Sequence, residues 1–449
     1  MDTPICDFVR RYRESGALRF HMPGHKGVPV LGCEPLDITE IPGADALYEA
    51  SGIIEKSEQN ATALFGFGKT LFSTEGSSQC IKAMLFLARL HARLNGNPSN
   101  QIIAARNAHK AFIHGCALLD LQPLWLQPES DFVSLCSCPI SPETVADTLA
   151  ALEQPPIAVY LTSPDYLGGM QDIAGVASVC HRAGVPLLVD NAHGAYLRFL
   201  EPSQHPVSLG AFLSSDSAHK TLPVLTGGAY LQLSADVPEA VADQAKQAMA
   251  LFGSTSPSYL ILQSLDLCNR VLSDGYPQKL AWFCSALKAL KMTLLERGWT
   301  VMSSDPLKLV LDTARFGYSG ELFSQLLEDR GIICEFADRQ AVVLMFTPEN
   351  TSEELKVLCS VLSEFPRKPS VTEQPPPIVP TGIPVCSVRE AVLAAHEQIP
   401  VDAAVGRICA APIVACPPAI PIVVSGERIT EAHIQQFHAY RITWVEVIL

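Results

Sequence analysis

Between Gln101 and Tyr230 the chain alternates short, continuously apolar runs with stretches of helical periodicity, and this alternation restricts the fold more than any other feature. Gln101–Ala105, Ile157–Thr162 and Pro186–Asp190 are of strand length and lack the polar alternation of a half-exposed strand. Ser141–Leu152 and Ile173–Ala183, lying between them, carry helical spacing. A strand that is apolar on both faces must be covered on both, so the pattern predicts a largely parallel sheet between two helical layers. Ligands on such sheets bind beyond the carboxyl ends of the strands, which makes the residues just after each run the first candidates for function.

The rest of the chain divides by character. Residues 1–55 read as an N-terminal arm and 56–253 as the large domain. A second region, 254–365, holds a long helical stretch (Ser256–Arg297), strand-like Leu307–Asp312, a helix near Gly320–Arg330 and strands near Ile332–Glu335 and Ala341–Phe346, the pattern of a smaller α+β domain. Residues 366–386 are dense in proline, including Pro375–Pro377, and read as an extended linker. Residues 387–449 form a C-terminal domain.

With 449 residues, 48% of them hydrophobic, the chain can bury a large core. A formal net charge of −14 argues against a nucleic-acid surface, which needs clustered Lys and Arg. Met1–Phe20 is amphipathic, without the apolar core of a signal peptide, and no run is long enough to span a bilayer, so a cytoplasmic protein with no membrane partner is expected. The 14 cysteines are scattered, and the nearest pair, Cys136 and Cys138, is too tight for a zinc knuckle; free structural thiols are expected, and no metal.

Four elements then follow in sequence. Ser73-Thr74-Glu75-Gly76-Ser77-Ser78-Gln79 precedes the helical pattern Cys80–Leu94, and a small-residue turn that opens a helix offers N–H groups and hydroxyls to a phosphate. His109 follows the strand Gln101–Ala105, where an imidazole can lie against a ring. Asp190 ends another apolar strand, where a carboxylate is costly unless paired with a cation such as a protonated pyridine nitrogen. Ser217-Ala218-His219-Lys220 lies between apolar segments, and a desolvated lysine amine is suited to Schiff-base formation. Gly227 and Gly228 would let backbone pass close by. Each element alone is commonplace: a serine cap, a satisfied histidine, a capping aspartate, a loop lysine. Their order is far more specific.

These residues resemble those of the Orn/Lys/Arg decarboxylase family, prokaryotic enzymes of fold type I that depend on pyridoxal 5′-phosphate (PLP). The resemblance begins at Phe20-His21-Met22-Pro23-Gly24-His25-Lys26-Gly27, continues through Asp37-Ile38-Thr39-Glu40, Arg106-Asn107-Ala108-His109-Lys110, Asp190, Ser217-Ala218-His219-Lys220 and Ser256-Pro257-Ser258-Tyr259, and ends at Gly426-Glu427. It implies an α/β fold of the aminotransferase (fold type I) class, with a mostly parallel sheet in the large domain. It further implies decarboxylation of arginine, lysine or ornithine to the amine and CO₂, arginine being the first choice.

By the same resemblance Lys220 would carry PLP as a Schiff base, Asp190 would pair with the pyridine nitrogen and His109 would stack on the ring. Gly76, Ser77, Ser78, Gln79, Ser217 and His219 would hold the phosphate. His219 or Lys220 would return a proton to the substrate carbon. His193 takes a place that is tryptophan in larger members, and the short form, without their N-terminal wing, implies a homodimer or homotetramer. The active site would be shared between subunits, with Ser256 reaching the partner's phosphate. Glu427 would grip the substrate's distal cation, although Ser425 and Ala419 depart from the family's pattern around it. Glu335 and Asp338 could also approach a cationic substrate, although a solvated pair at a strand end is the plainer reading. Two other readings are a different fold-type-I reaction, such as transamination, and a PLP-binding protein without catalysis.

Overall fold

The computed structural model describes residues 1–129, 135–371, 382–412 and 420–449. Its centre is a seven-stranded sheet of β1 (Lys69–Ser73), β2 (Gln101–Ala105), β3 (Gln122–Leu126), β4 (Val159–Thr162), β5 (Leu187–Asp190), β6 (Leu213–Asp216) and β7 (Ala229–Leu233). The strand order is β1-β7-β6-β5-β4-β2-β3. Only β7 runs against the others: it is antiparallel to both β1 and β6, and the remaining pairs are parallel. The expected mostly parallel α/β sheet is therefore present.

Continuous apolarity in the strands has the predicted cause. Ile103, Val159, Leu161, Leu187 and Val189 point into one core, together with Val145, Ile173 and Val176. The alternate residues Ile102, Ala104, Tyr160 and Leu188 point into a second core with Met84, Leu87 and Phe112. The helices that cover the two faces are α3 (Gly76–Leu94) and α4 (Lys110–Leu119) on one side, and α5 (Pro142–Ala150) and α6 (Ile173–Ala183) on the other.

A third core joins the N-terminal helices α1 (Pro4–Glu14) and α2 (Ile53–Phe65) to the long helices Tyr259–Ser273 and Tyr276–Glu296 and to the smaller sheet. The change of character near Ser254 is thus not a break between hydrophobic cores. The smaller sheet contains β8 (Lys308–Asp312), β9 (Phe336–Ala337) and β10 (Ala341–Met345) in the order β8-β10-β9. Strand structure expected over Ile332–Glu335 is found instead at Phe336–Ala337. Ile332 N–H bonds back to Leu327 O, ending the preceding helix, and Ile333 faces solvent, so of that segment only Glu335 N–H reaches a carbonyl of β10, that of Val343.

The C-terminal segment carries β11 (His396–Pro400) paired with β12 (Trp444–Ile448), and Phe437, Val445 and Val447 pack into the core beneath β4 and β5. Every described cysteine is free. No helix among the described residues is long and apolar enough to cross a membrane.

Candidate active site

All four sequence elements converge at the carboxyl ends of the parallel strands. Asp190 ends β5, with Thr162 of β4 and Ser215 of β6 as its register neighbours. Its carboxylate is buried, receives the Tyr160 hydroxyl at 3.2 Å and the Ala192 N–H at 3.2 Å, and has no salt bridge among the described residues. Burial pushes its pKa up to about 6, the nearby Lys220 charge only partly opposing. A buried, half-satisfied carboxylate at a strand end suits a protonated ring nitrogen.

Lys220 follows β6 on a short helical turn, Ala218–Thr221. Its Nζ lies 3.1 Å from His193 Nε2. Burial lowers its pKa, while Asp190 and Glu335 pull the other way. His193 is fully buried and its pKa falls well below the ordinary value through desolvation, with Lys308 and Lys220 adding to the effect. Its Nδ1 has no hydrogen-bond partner among the described residues.

His109 caps α4: its Nδ1 accepts the Ala111 N–H at 3.1 Å, which turns Nε2 outward. Burial first, then Lys220, lowers its pKa to about 4, so the ring is neutral near pH 7. His219 donates from Nδ1 to Gly228 O at 3.0 Å, and burial lowers its pKa as well. A neutral His219 held in this way presents a lone pair at Nε2 and no proton, which makes it a poor proton donor.

The turn between β1 and α3 is built as a cradle. Gly76 has φ of +69°, and its N–H donates to Gly227 O at 2.8 Å. The Ser217 hydroxyl donates to Ser77 Oγ at 2.9 Å, which joins the end of β6 to the first turn of α3. Ser77 and Ser78 are part-exposed at that N-terminus, where backbone N–H groups lack helical partners. The Gln79 side chain is used elsewhere: it accepts from Ser73 Oγ at 2.6 Å and donates to Tyr48 Oη and Met249 O. Only its main-chain N–H is left for an anion.

Two expected residues lie apart from this group. Ser256 is exposed, and its N–H bonds to Ser254 Oγ at 3.1 Å. Glu427 is buried and clasped by Arg106 through two 2.7 Å bonds, with Val424 N–H also on Oε2, so it has no open carboxylate for a substrate cation. Ser425 is buried nearby, and Ala419 lies outside the described residues.

Sequence reasoning gave no role to Tyr166 or Lys308. The Tyr166 ring stands edge-on to His193 at 5.3 Å, and its hydroxyl donates to Glu335 Oε1 at 3.0 Å. Lys308, in β8, is buried and donates to Asp165 O at 2.7 Å. Neither sits in a motif, and a lone lysine in an apolar strand gives no sign of the loop it will meet.

The residues present fit PLP. The serine-lined helix N-terminus suits a phosphate; the buried Asp190 carboxylate, which has no salt bridge among the described residues, suits a pyridinium; and the desolvated Lys220 amine suits a carbonyl carbon. Asn107 Oδ1 and His193 Nδ1 are further buried polar atoms without a hydrogen-bond partner among the described residues.

Comparison with known proteins shows the family and the fold. The profile described as Orn/Lys/Arg decarboxylase, major domain, matches residues 3–292, and the corresponding C-terminal domain matches 377–444. An uncharacterized Bacillus subtilis protein, YaaO, is 29% identical over 97% of this chain and 94% of its own. The arginine decarboxylase of B. subtilis is 28% identical over 96% of this chain and 92% of its own. Among solved structures, the Francisella novicida lysine decarboxylase LdcF superposes with a TM-score of 0.80 at 17% identity, covering 100% of this chain and 81% of that one, a likeness of fold.

Proposed function

Since the chain belongs to the Orn/Lys/Arg decarboxylase family, we propose that it decarboxylates a basic amino acid, arginine before lysine or ornithine, with PLP held as a Schiff base on Lys220. The observation that carries this reading is that Lys220, its Nζ 3.1 Å from His193 Nε2, and the buried Asp190 carboxylate, without a salt bridge among the described residues, come together at the carboxyl ends of β5 and β6. PLP, when bound, supplies the electron sink that accepts the electron pair left behind as CO₂ departs.

The chain's own residues then divide the work. Asp190, ionised against a protonated ring nitrogen, keeps that nitrogen charged. His109, neutral and oriented by its cap bond, covers the ring without adding a positive charge. Ser77, Ser78, Ser217 and the first N–H groups of α3 hold the phosphate, with Gly76 shaping the turn. His193, neutral beside Nζ, orients the lysine amine. Lys220 returns a proton from Nζ to the substrate carbon, a task His219 is poorly placed to share because its only N–H is committed to Gly228. One proton is consumed for each CO₂ released.

A homodimer or homotetramer with a shared site, Ser256 reaching the partner's phosphate, extends the proposal. Support comes from Leu18, Phe20, Val30 and Leu31, large apolar side chains left exposed along the N-terminal arm.

The test is release of labelled CO₂ from arginine, lysine and ornithine in parallel. We expect release from at least one, a yellow wild-type protein, and loss of that colour in Lys220→Ala. A colourless wild type after incubation with PLP defeats the cofactor assignment. Keto acid formed without CO₂ would mean transamination.

A further inference from the structure

We infer that Glu335 is the residue that binds the distal cation of the substrate, with Tyr166 holding it in position. This rests on the proposed decarboxylation of a basic amino acid and names the group that recognises it.

A contact chain leads from the reacting amine to Glu335. Lys220 Nζ touches His193 Nε2 at 3.1 Å, the Tyr166 ring stands edge-on to His193 at 5.3 Å, and the Tyr166 hydroxyl donates to Glu335 Oε1 at 3.0 Å. An imidazole and a phenol therefore separate Lys220 from an exposed carboxylate. Among the described residues, Asp190 and Glu335 are the two carboxylates whose charge reaches Lys220. Asp190 lies at the buried end and suits the cofactor; Glu335 lies at the exposed end and suits what enters from solvent.

Glu335 is held firmly enough to select. Its N–H bonds to Val343 O of β10 at 3.0 Å, and Phe336, the next residue, packs edge-on against the Tyr166 ring at 5.2 Å. Tyr166 and Phe336 supply aromatic surface for the methylene chain of a long basic side chain. Glu335 Oε2 has no protein hydrogen-bond partner among the described residues, and a guanidinium or ammonium would make a charge-assisted bond there. Lys308 also lies within electrostatic reach of Glu335, but its ammonium bonds to Asp165 O at 2.7 Å and stands 3.9 Å from Asp305 Oδ2.

The two other carboxylates that the sequence offered for this role are engaged elsewhere. Glu427 is spent on Arg106 and Val424 N–H. Asp338 is tied into the turn before β10, where its Oδ1 accepts the Gln340 and Ala341 N–H groups, each at 2.8 Å, and unlike Glu335 it is not among the charges that reach Lys220.

The experiment uses the full-length PLP-loaded protein and compares wild type with Glu335→Gln, Glu335→Ala and Tyr166→Phe. For the substrate that releases CO₂, Glu335→Gln should raise KM about tenfold or more and change kcat by less than about threefold. The PLP absorption band should stay unchanged. Binding of the amine product, followed by calorimetry, should weaken in parallel. Preference over an uncharged isostere, citrulline against arginine or norleucine against lysine, should shrink by the same factor. Tyr166→Phe should give a smaller KM rise in the same direction. An unchanged KM and unchanged amine binding in a folded, yellow Glu335→Gln protein overturn the inference while leaving the decarboxylase reading intact. A wild type that releases CO₂ from none of the three amino acids defeats that reading instead. The inference is then decided by calorimetry of agmatine, cadaverine and putrescine: amine binding weakened by Glu335→Gln supports it, and no binding by the wild type, or equal binding by both, overturns it. Should Glu335→Gln fail to fold, Glu335→Ala and Tyr166→Phe carry the same comparison.

Discussion

At the scale of single residues, the site is a set of ionisable groups held away from their ordinary charge states. Asp190 shows this best. Its pKa lies near 6 in the fold because burial outweighs the pull of Lys220, the Tyr160 hydroxyl and the Ala192 N–H. A carboxyl whose folded value is raised stabilises the fold most at low pH, and that contribution is lost as pH climbs from about 4 through 6. A displacement of that size on a buried group corresponds to about 3 kcal/mol. Asp190→Asn lacks this titration. In the PLP-free protein, the stability of the wild type relative to Asp190→Asn should therefore fall by about that amount between pH 4 and 6.5, as read from denaturant midpoints. The same variant should release CO₂ at least about a hundredfold more slowly, since the ring nitrogen would lose its counter-charge. A flat stability difference across that pH range would mean that Asp190 is solvated and not poised for a cation. His109 titrates in the opposite sense. Its folded value is depressed to about 4, so its contribution is complete above about 6.5 and disappears as pH falls through 4. The comparison with Asp190→Asn cancels that background.

At the scale of elements, the fold gathers the site by ending β1, β2, β5 and β6 at one edge of the sheet and bending each chain into a turn or short helix there. Turn chemistry holds the edge together. Gly227, in the turn before β7, has φ of +98°, its carbonyl accepts the Gly76 N–H, and an added Cβ would stand 3.0 Å from Thr74 O. Gly227→Ala should thus push the β1–α3 cradle out of register and weaken PLP binding about tenfold or more, with far-UV circular dichroism unchanged. Equal PLP affinity in the variant would show that the cradle tolerates the shift. Much of this edge was legible in the sequence because buried parallel strands are apolar throughout: Gln101–Ala105 coincides with β2, and Asp190 ends β5 as expected. The order of phosphate turn, histidine, aspartate and lysine survives folding because the parallel strands carry it to one edge. What could not be read were contacts between elements far apart in the chain. Tyr166 and Glu335 are 169 positions apart and meet only because β9 and β10 lie against the loop after β4. The apolar run Ile332–Glu335 misled for a physical reason: its residues serve to end a helix and cross the surface, and hydrophobicity alone does not report which backbone groups find partners.

At the scale of the whole molecule, the question is what fastens the C-terminal segment to the sheet. Phe437, Val445 and Val447 enter the core beneath β4 and β5, and one polar clasp accompanies them. Arg106, just past β2, and Glu427 share two 2.7 Å bonds with side chains only 2% and 5% exposed, and the Arg106 guanidinium also lies 5.3 Å from the Trp125 ring centroid. Two charges so deeply buried cost much desolvation, and their pairing offsets it only while both are present. Removing one leaves the other without compensation. Glu427→Gln should therefore lower the stability of the whole chain by about 3–5 kcal/mol, read as a shift of the denaturant midpoint. Arg106→Leu combined with Glu427→Leu should recover more than half of that loss, because an apolar pair of moderate volume can replace a buried ion pair. The alternative role for Glu427, gripping the substrate's distal cation, predicts the reverse pattern: an unchanged midpoint, a raised KM and no rescue by the double substitution. The bidentate geometry with no spare oxygen favours the clasp. On that account the C-terminal segment supports the site from behind, by fixing the residue three positions before His109, and leaves the proposed recognition of the substrate's cation to Glu335, just before β9.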